Sequence, residues 1–254
     1  MYRLIFIISC FWYAPARAET YIVVSQNFNY YPHYNFKAKL DKGFIWAVLE
    51  EFSVFSGHKF VYRHMPVLRL QKELEKGTID LIYPDNPLFN NEQNFAKGKY
   101  YSDTIVNTIG VSMVKKSRLT DDANTVKKLA IPLGFTPQLG WTEKLSLKQI
   151  MLAKVSTPLV SLKLLNLGRV DAAEVDYFVG QHLIRNNPEL SKLAFHSGLP
   201  HSTVEFKLST INQPQLIDEI NHFMASQPHV IKKLMLLYGI TPPELISQKL
   251  KEIN

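Results

Sequence analysis

The chain has 254 residues, 46 % of them hydrophobic, with 29 Lys and Arg against 22 Asp and Glu and a single cysteine. That length and apolar content suffice for one large domain or two of ordinary size. Cys10 alone excludes an internal disulfide and a cysteine-based zinc site, and basic pairs scattered at Lys115-Lys116, Lys127-Lys128 and Lys232-Lys233 lack the clustering of a nucleic-acid footprint.

The chain opens with Arg3, an almost wholly apolar run over residues 4–13, and Ala16-Arg17-Ala18 in the small-x-small form that signal peptidase cuts. The run is too short for a permanent membrane helix. A lipid-attachment role for Cys10 would leave a still shorter apolar stretch before bulky Phe11-Trp12-Tyr13. Residues 1–18 therefore read as a signal peptide, cleaved after Ala18 to release a periplasmic chain that starts at Glu19. Removing 18 of 254 residues leaves 236; losing Arg3 and Arg17 takes 29 basic residues to 27 against 22 acidic, a net charge of +5.

Tyr21-Ile22-Val23-Val24 reads as a buried strand, followed by a loop dense in Asn27, Phe28, Asn29, Tyr30, Tyr31, His33, Tyr34 and Phe36. Such a polar–aromatic cluster is either core packing or a clasp for a small molecule. A helix over 43–55 follows from Ile45, Val48, Leu49 and Phe52 at i, i+3, i+4 and i+7, with Gly57 as its stop. Next come a strand over 59–63, a helix over 66–76 with Leu70 and Leu74 inward, and a strand over 79–83. This alternation predicts a largely parallel sheet covered on both faces, with ligands at the carboxyl ends of strands: residues 26–34, 64–67 and 84–87.

Residues 102–114 form a long extended run, and 115–124 are polar surface. A second α/β unit then reads as a strand over 129–133, the loop Gly134-Phe135-Thr136-Pro137, a helix over 158–167, a strand over 172–175, a helix over 177–185 and a short strand over 192–195. A strand over 203–209 precedes helices over 214–224 and 228–238 and a loosely attached helical tail over 244–254. No fixed-period repeat is present.

Two α/β units connected by extended segments suggest two lobes with two crossings. On that pattern the chain resembles the extracytoplasmic solute-binding proteins of the polar amino-acid type. The motifs are Tyr30-Tyr31-Pro32-His33-Tyr34; Pro66-x-x-Arg69; Leu74-Glu75-Lys76-Gly77-Thr78-Ile79-Asp80; Tyr100-Tyr101-Ser102; the strand and loop over 129–136; and Leu165-x-x-Gly168-Arg169-Val170-Asp171-Ala172 followed by Asp176. The resemblance implies a two-lobe, periplasmic-binding-protein-like α/β fold with mixed sheets, helices on both faces and a two-segment hinge. It places lobe 1 at about 19–107 plus 208–254 and lobe 2 at 108–207. It also implies a monomer that binds a small polar or amine-bearing solute and contacts an inner-membrane permease complex or a sensor receptor, with no cofactor, metal or nucleic acid.

One departure bears on the solute. The family's carboxylate-clamping arginine after the third strand is absent from the segment Pro84-Asp85-Asn86-Pro87-Leu88-Phe89, which continues to Phe95 without an arginine. Arg69 is the candidate substitute, or else an ordinary exposed helix arginine. Asp176 matches the family's aspartate that grips an amino group, and it is equally placed to cap the following helix. Tyr30, Tyr31 and Tyr34 are stacking candidates. Asp85 and Asn86 lie at a strand end, where an Asx-turn before Pro87 is the alternative. Thr136 offers a hydroxyl and neighbouring N–H groups, or is plain loop. Asp80 and Asp171 read as structural. No Gly-x-Ser-x-Gly or His-Glu-x-x-His occurs, and the eight histidines are scattered, so no catalytic residue is assigned. A sensing module and a small-molecule lyase or dehydratase on the same fold are the alternatives to uptake.

Overall fold

The protein is described by a computed structural model covering residues 18–89 and 98–252. The signal-peptide reading falls on residues outside that description, apart from Ala18 itself.

Strand β1 (Thr20–Gln26) pairs in parallel with β2 (Lys59–Met65) and β3 (Leu81–Asp85). Helices α1 (Phe44–Ser56) and α2 (Val67–Glu75) make the crossovers. Ile45, Val48, Leu49 and Phe52 of α1 have no exposed surface, as their spacing predicts, and each buried side chain of this kind contributes about 1.5–3 kcal/mol. Gly57 ends α1 at φ 81°, with its N–H on Ser53 O.

The second half of the sheet is built on β5 (Val106–Lys115), which lies antiparallel to β8 (Ala172–Asp176) and β9 (Leu193–Phe195). Strand β6 (Lys128–Pro132) runs parallel to β7 (Met151–Val155) and β8. Helices α3 (Leu139–Ser146), α4 (Pro158–Asn166) and α5 (Tyr177–Asn186) complete this unit. Thr157 caps α4 through Val160 N–H with Pro158 at its first position, and Asp176 caps α5 through Val179 N–H.

The halves meet along β10 (Ser202–Thr210), whose residues 202–206 pair with Gly110 to Val106 of β5, while Lys207 and Ser209 pair with Asp85 and Ile82 of β3. The partner changes between Phe206 and Lys207. The short β4 (Tyr100–Tyr101) also pairs with β10, so the outgoing and returning crossings lie side by side. The order is β2-β1-β3-β10-β5-β8-β6-β7. Helices α6 (Pro214–Ser226), α7 (Pro228–Leu237) and α8 (Pro243–Glu252) follow, with α6 and α7 against α1.

Helix α3 and strand β7 are additions to the sequence reading. Trp141 is the buried side chain on α3, whereas Leu139 is 88 % and Met151 65 % exposed, so apolar spacing carried no usable period there.

Candidate ligand cleft

Asp176 sits where β8 becomes α5, at the carboxyl end of a strand and the N-terminus of a helix. It is buried, and its Oδ1 accepts from Val179 N–H at 3.0 Å. The same oxygen lies 3.0 Å from Nε2 of His33, and Oδ2 accepts from the hydroxyl of Thr108 on β5. His33 comes from the loop after β1, on the other side of the strand crossing.

That loop is held in one conformation. Tyr30 and Tyr34 exchange backbone hydrogen bonds, and the carbonyl oxygens of Pro32 and His33 accept from Phe44 N–H and Ile45 N–H at 2.8 and 3.2 Å. The loop thus caps two of the free N–H groups that begin α1. Gly43 makes the approach feasible: it sits at φ 94°, and a Cβ there would lie 2.8 Å from Tyr34 Cα.

Aromatic rings enclose the His33–Asp176 contact. Tyr30 stacks on Tyr34 with centroids 5.2 Å apart, and Phe135, on the loop after β6, packs 5.7 Å from Tyr30 and 5.8 Å from Phe28. Phe206 and Phe178 present edges to His33 at 5.1 and 6.0 Å. Tyr83 meets Tyr34 edge-on, and the Tyr34 hydroxyl donates to Gln26.

Burial dominates the electrostatics. It pushes the Tyr30, Tyr34 and Tyr83 hydroxyls well above the ordinary phenol range, and the nearby negative charge of Asp176 adds to the effect in all three. For Tyr30 a hydrogen bond from the Asp176 backbone opposes the shift. Glu174 is two residues before Asp176 and faces the same side of β8. Desolvation pushes its carboxyl up to about 8, against the lowering effect of Gln138 N–H, which lies 3.2 Å from each of its oxygens. Among the described residues, His33 Nδ1, Tyr83 Oη and Gln138 Nε2 are buried polar atoms around this cleft with no hydrogen-bond partner.

The structure therefore brings together Tyr30, Tyr34 and Asp176 of the residues expected from sequence. The others lie elsewhere or are engaged by the chain. Tyr31 is at the outer edge, with its hydroxyl on Asp41 and its ring 4.7 Å from His182 of α5. Asp85 is buried beside the strand crossing, holding Lys99 Nζ at 2.6 Å and the Ser209 hydroxyl at 2.6 Å. Asn86 accepts from Leu88 N–H and donates to Glu205 O, so the Asx-turn is real and is tied to β10. Thr136 is exposed on the loop after β6. Arg69 points outward, with its side chain 66 % exposed and its Nε 3.5 Å from Glu73, one turn along α2.

Sequence reading missed His33, Thr108, Glu174, Gln138 and Phe206 as cleft residues. His33 was visible only as a member of the aromatic cluster, and Glu174 only through the two-residue alternation that puts it on the face of Asp176. Among the described residues, no group of three His, Cys, Asp or Glu is arranged to hold a metal ion, and no helix is long and apolar enough to cross a membrane.

No protein-family model matches the chain, and no curated protein matches it in sequence. Solved structures match its fold. An ancestral arginine-binding protein bound to arginine superposes with a TM-score of 0.72 at 19 % identity, over 88 % of this chain and 99 % of that one. The VFT2 domain of Bordetella pertussis BvgS gives 0.70 at 17 % identity, over 86 % and 93 %. A histidine kinase sensor domain with similarity to periplasmic binding proteins gives 0.68 at 14 % identity, over 87 % and 96 %. At these identities the likeness is one of fold: this is a two-lobe, periplasmic-binding-protein-like α/β chain, and its structural neighbours include an arginine-binding protein and a histidine kinase sensor domain.

Proposed function

We propose that the protein is an exported, monomeric solute-binding protein that closes two lobes, 19–107 with 208–254 and 108–207, around a small amine-bearing solute. Asp176 accepts from the solute's amino group, Thr108 flanks it, and Tyr30 and Tyr34 form the aromatic wall. An inner-membrane transporter then receives the solute. The observation that carries this reading is a buried, helix-capping carboxylate inside an aromatic shell at the junction of the two halves, with polar atoms beside it that have no partner among the described residues. The solute enters, is held and leaves without covalent chemistry, so no catalytic residue, metal or cofactor is assigned. A sensory role at a membrane receptor is the second reading, favoured by the histidine kinase sensor domain among the structural neighbours.

The test is thermal unfolding of the chain from Glu19 to Asn254 against amino acids, diamines, organic acids and aromatic amines. A solute at a hundred times its Kd stabilises the native state by about 2.7 kcal/mol, which for a chain of this size raises Tm by roughly 5–10 °C. The shift should saturate and weaken sharply in Asp176→Asn. A panel of amines with no saturable shift refutes the amine-binding reading.

A further inference from the structure

In a two-lobe binding protein, closure is driven by whatever touches both sides of the cleft. Here the chain supplies that touch itself. His33 is fully buried, comes from the loop after β1, and reaches Asp176 on β8 at 3.0 Å and Thr108 on β5 at 3.3 Å. Its ring packs T-shaped against Phe206 and Phe178, with centroids 5.1 and 6.0 Å away. Its backbone is fixed to the start of α1 by the Pro32 and His33 carbonyl groups.

We propose that His33 is an internal ligand for Asp176: it holds the lobes closed with no solute present, and a solute enters by displacing the imidazole. The first half of this proposal stands on the contact alone; the second rests on the solute-binding reading. Other contacts join the same two sides. Tyr31 packs on His182, and Gly134 comes so close to Val67 that a Cβ at Gly134 would lie 2.8 Å from its Cγ1. The latch is also incompletely satisfied, because His33 Nδ1 is buried with no partner among the described residues. An imidazole brings one N–H to Asp176 and Thr108, whereas an ammonium brings three. A solute amine thus offers the carboxylate and hydroxyl more donors than the residue it replaces.

The experiment reads lobe closure by small-angle X-ray scattering on protein expressed from its full coding sequence, unfolded in guanidinium, dialysed and refolded to strip any carried solute. Wild type is expected to scatter as the closed form. His33→Ala should shift to a larger radius of gyration, and excess imidazole should return it to the closed value, but not in His33→Ala/Asp176→Ala. Circular dichroism checks folding. If His33→Ala does not fold, Thr108→Val/Asp176→Asn, which keeps the imidazole and weakens its seat, should open in its place. A solute-free wild type that is already open, or a folded His33→Ala as compact as wild type, overturns the latch.

Thermal unfolding with cadaverine and arginine separates this proposal from the solute reading. A saturable rise at a lower half-saturation concentration in His33→Ala than in wild type supports displacement. Equal half-saturation in the two refutes displacement while leaving amine binding intact. No rise in either protein, with the scattering result as expected, refutes amine binding and displacement while the latch itself stands.

Discussion

Replacing Asp176 by alanine removes three interactions at once, and their sum can be worked from the geometry. The side chain caps α5 through Val179 N–H at 3.0 Å, and losing such a cap costs about 1 kcal/mol. It also leaves His33 Nε2–H and the Thr108 hydroxyl without their carboxylate in a buried site, at about 1–3 kcal/mol each. The total is about 3–7 kcal/mol. For a chain of 236 residues, 1 kcal/mol moves Tm by roughly 2–4 °C, so Asp176→Ala should lower it by about 6 °C or more. Asp176→Asn keeps an oxygen for the cap and should cost only about 1–2 kcal/mol. Thermal and urea unfolding followed by far-UV circular dichroism, without solute, gives both values. A double-mutant cycle with His33→Ala should show a coupling of at least about 1 kcal/mol, since the two side chains share one hydrogen bond. An alanine variant within about 2 °C of wild type, or a cycle with no coupling, would refute the network.

Three further outcomes follow from single contacts. Between pH 4.5 and about 8 the native state holds a proton on Glu174 that the unfolded chain releases, so stability falls as pH rises through that window, by up to about 1.4 kcal/mol per pH unit. Glu174→Gln should flatten that slope and raise Tm above wild type at pH 9; an unchanged slope counts against a buried, protonated carboxyl. Gly134→Ala forces an L side chain to φ +87° against Val67 and should cost at least about 1–2 kcal/mol, with Val67→Ala, which removes the nearest atom but keeps Cβ at 3.0 Å, recovering only part of the clash. Melts of the three variants with no recovery in the double would show that the two sides do not meet there. Lys99→Met strands the buried Asp85 and should destabilise by about 3–5 kcal/mol, largely restored by adding Asp85→Asn; equal stability of Lys99→Met and wild type in urea refutes the ion pair.

What the sequence revealed and concealed has a physical pattern. Helix α1 was legible because Ile45, Val48, Leu49 and Phe52 are all fully buried, so the apolar period and the buried face coincide. Helix α3 was not, because it buries Trp141 and exposes Leu139. Asp176 was legible for a local reason, since a strand running into a helix needs a cap at that point. Its partners were not: Thr108 is 68 residues away and His33 is 143. The same limit applies to Asp85. Its place at a strand end was readable, but the lysine that occupies it arrives 14 residues later and the serine 124 residues later. Arg69 shows the converse. A family motif drew attention to it, whereas the local chemistry of Glu73 one turn along already offered it a partner on the surface of α2.

A cleft closed on its own histidine changes what affinity measures. Solute reaches only the fraction of molecules in which His33 has left Asp176, so the observed Kd is the intrinsic one divided by that fraction. A latch favoured by about 2.7 kcal/mol leaves about one molecule in a hundred open and weakens apparent binding about a hundredfold. That penalty works against an uptake protein, which gains from capturing scarce solute and from being closed only when loaded. It suits a sensor, whose resting state must be one defined form and whose response must be a switch away from it. The His33–Asp176 contact therefore bears on role as well as mechanism: a strong latch argues for signalling, and a latch weak enough for ordinary amines to displace at micromolar concentration argues for transport.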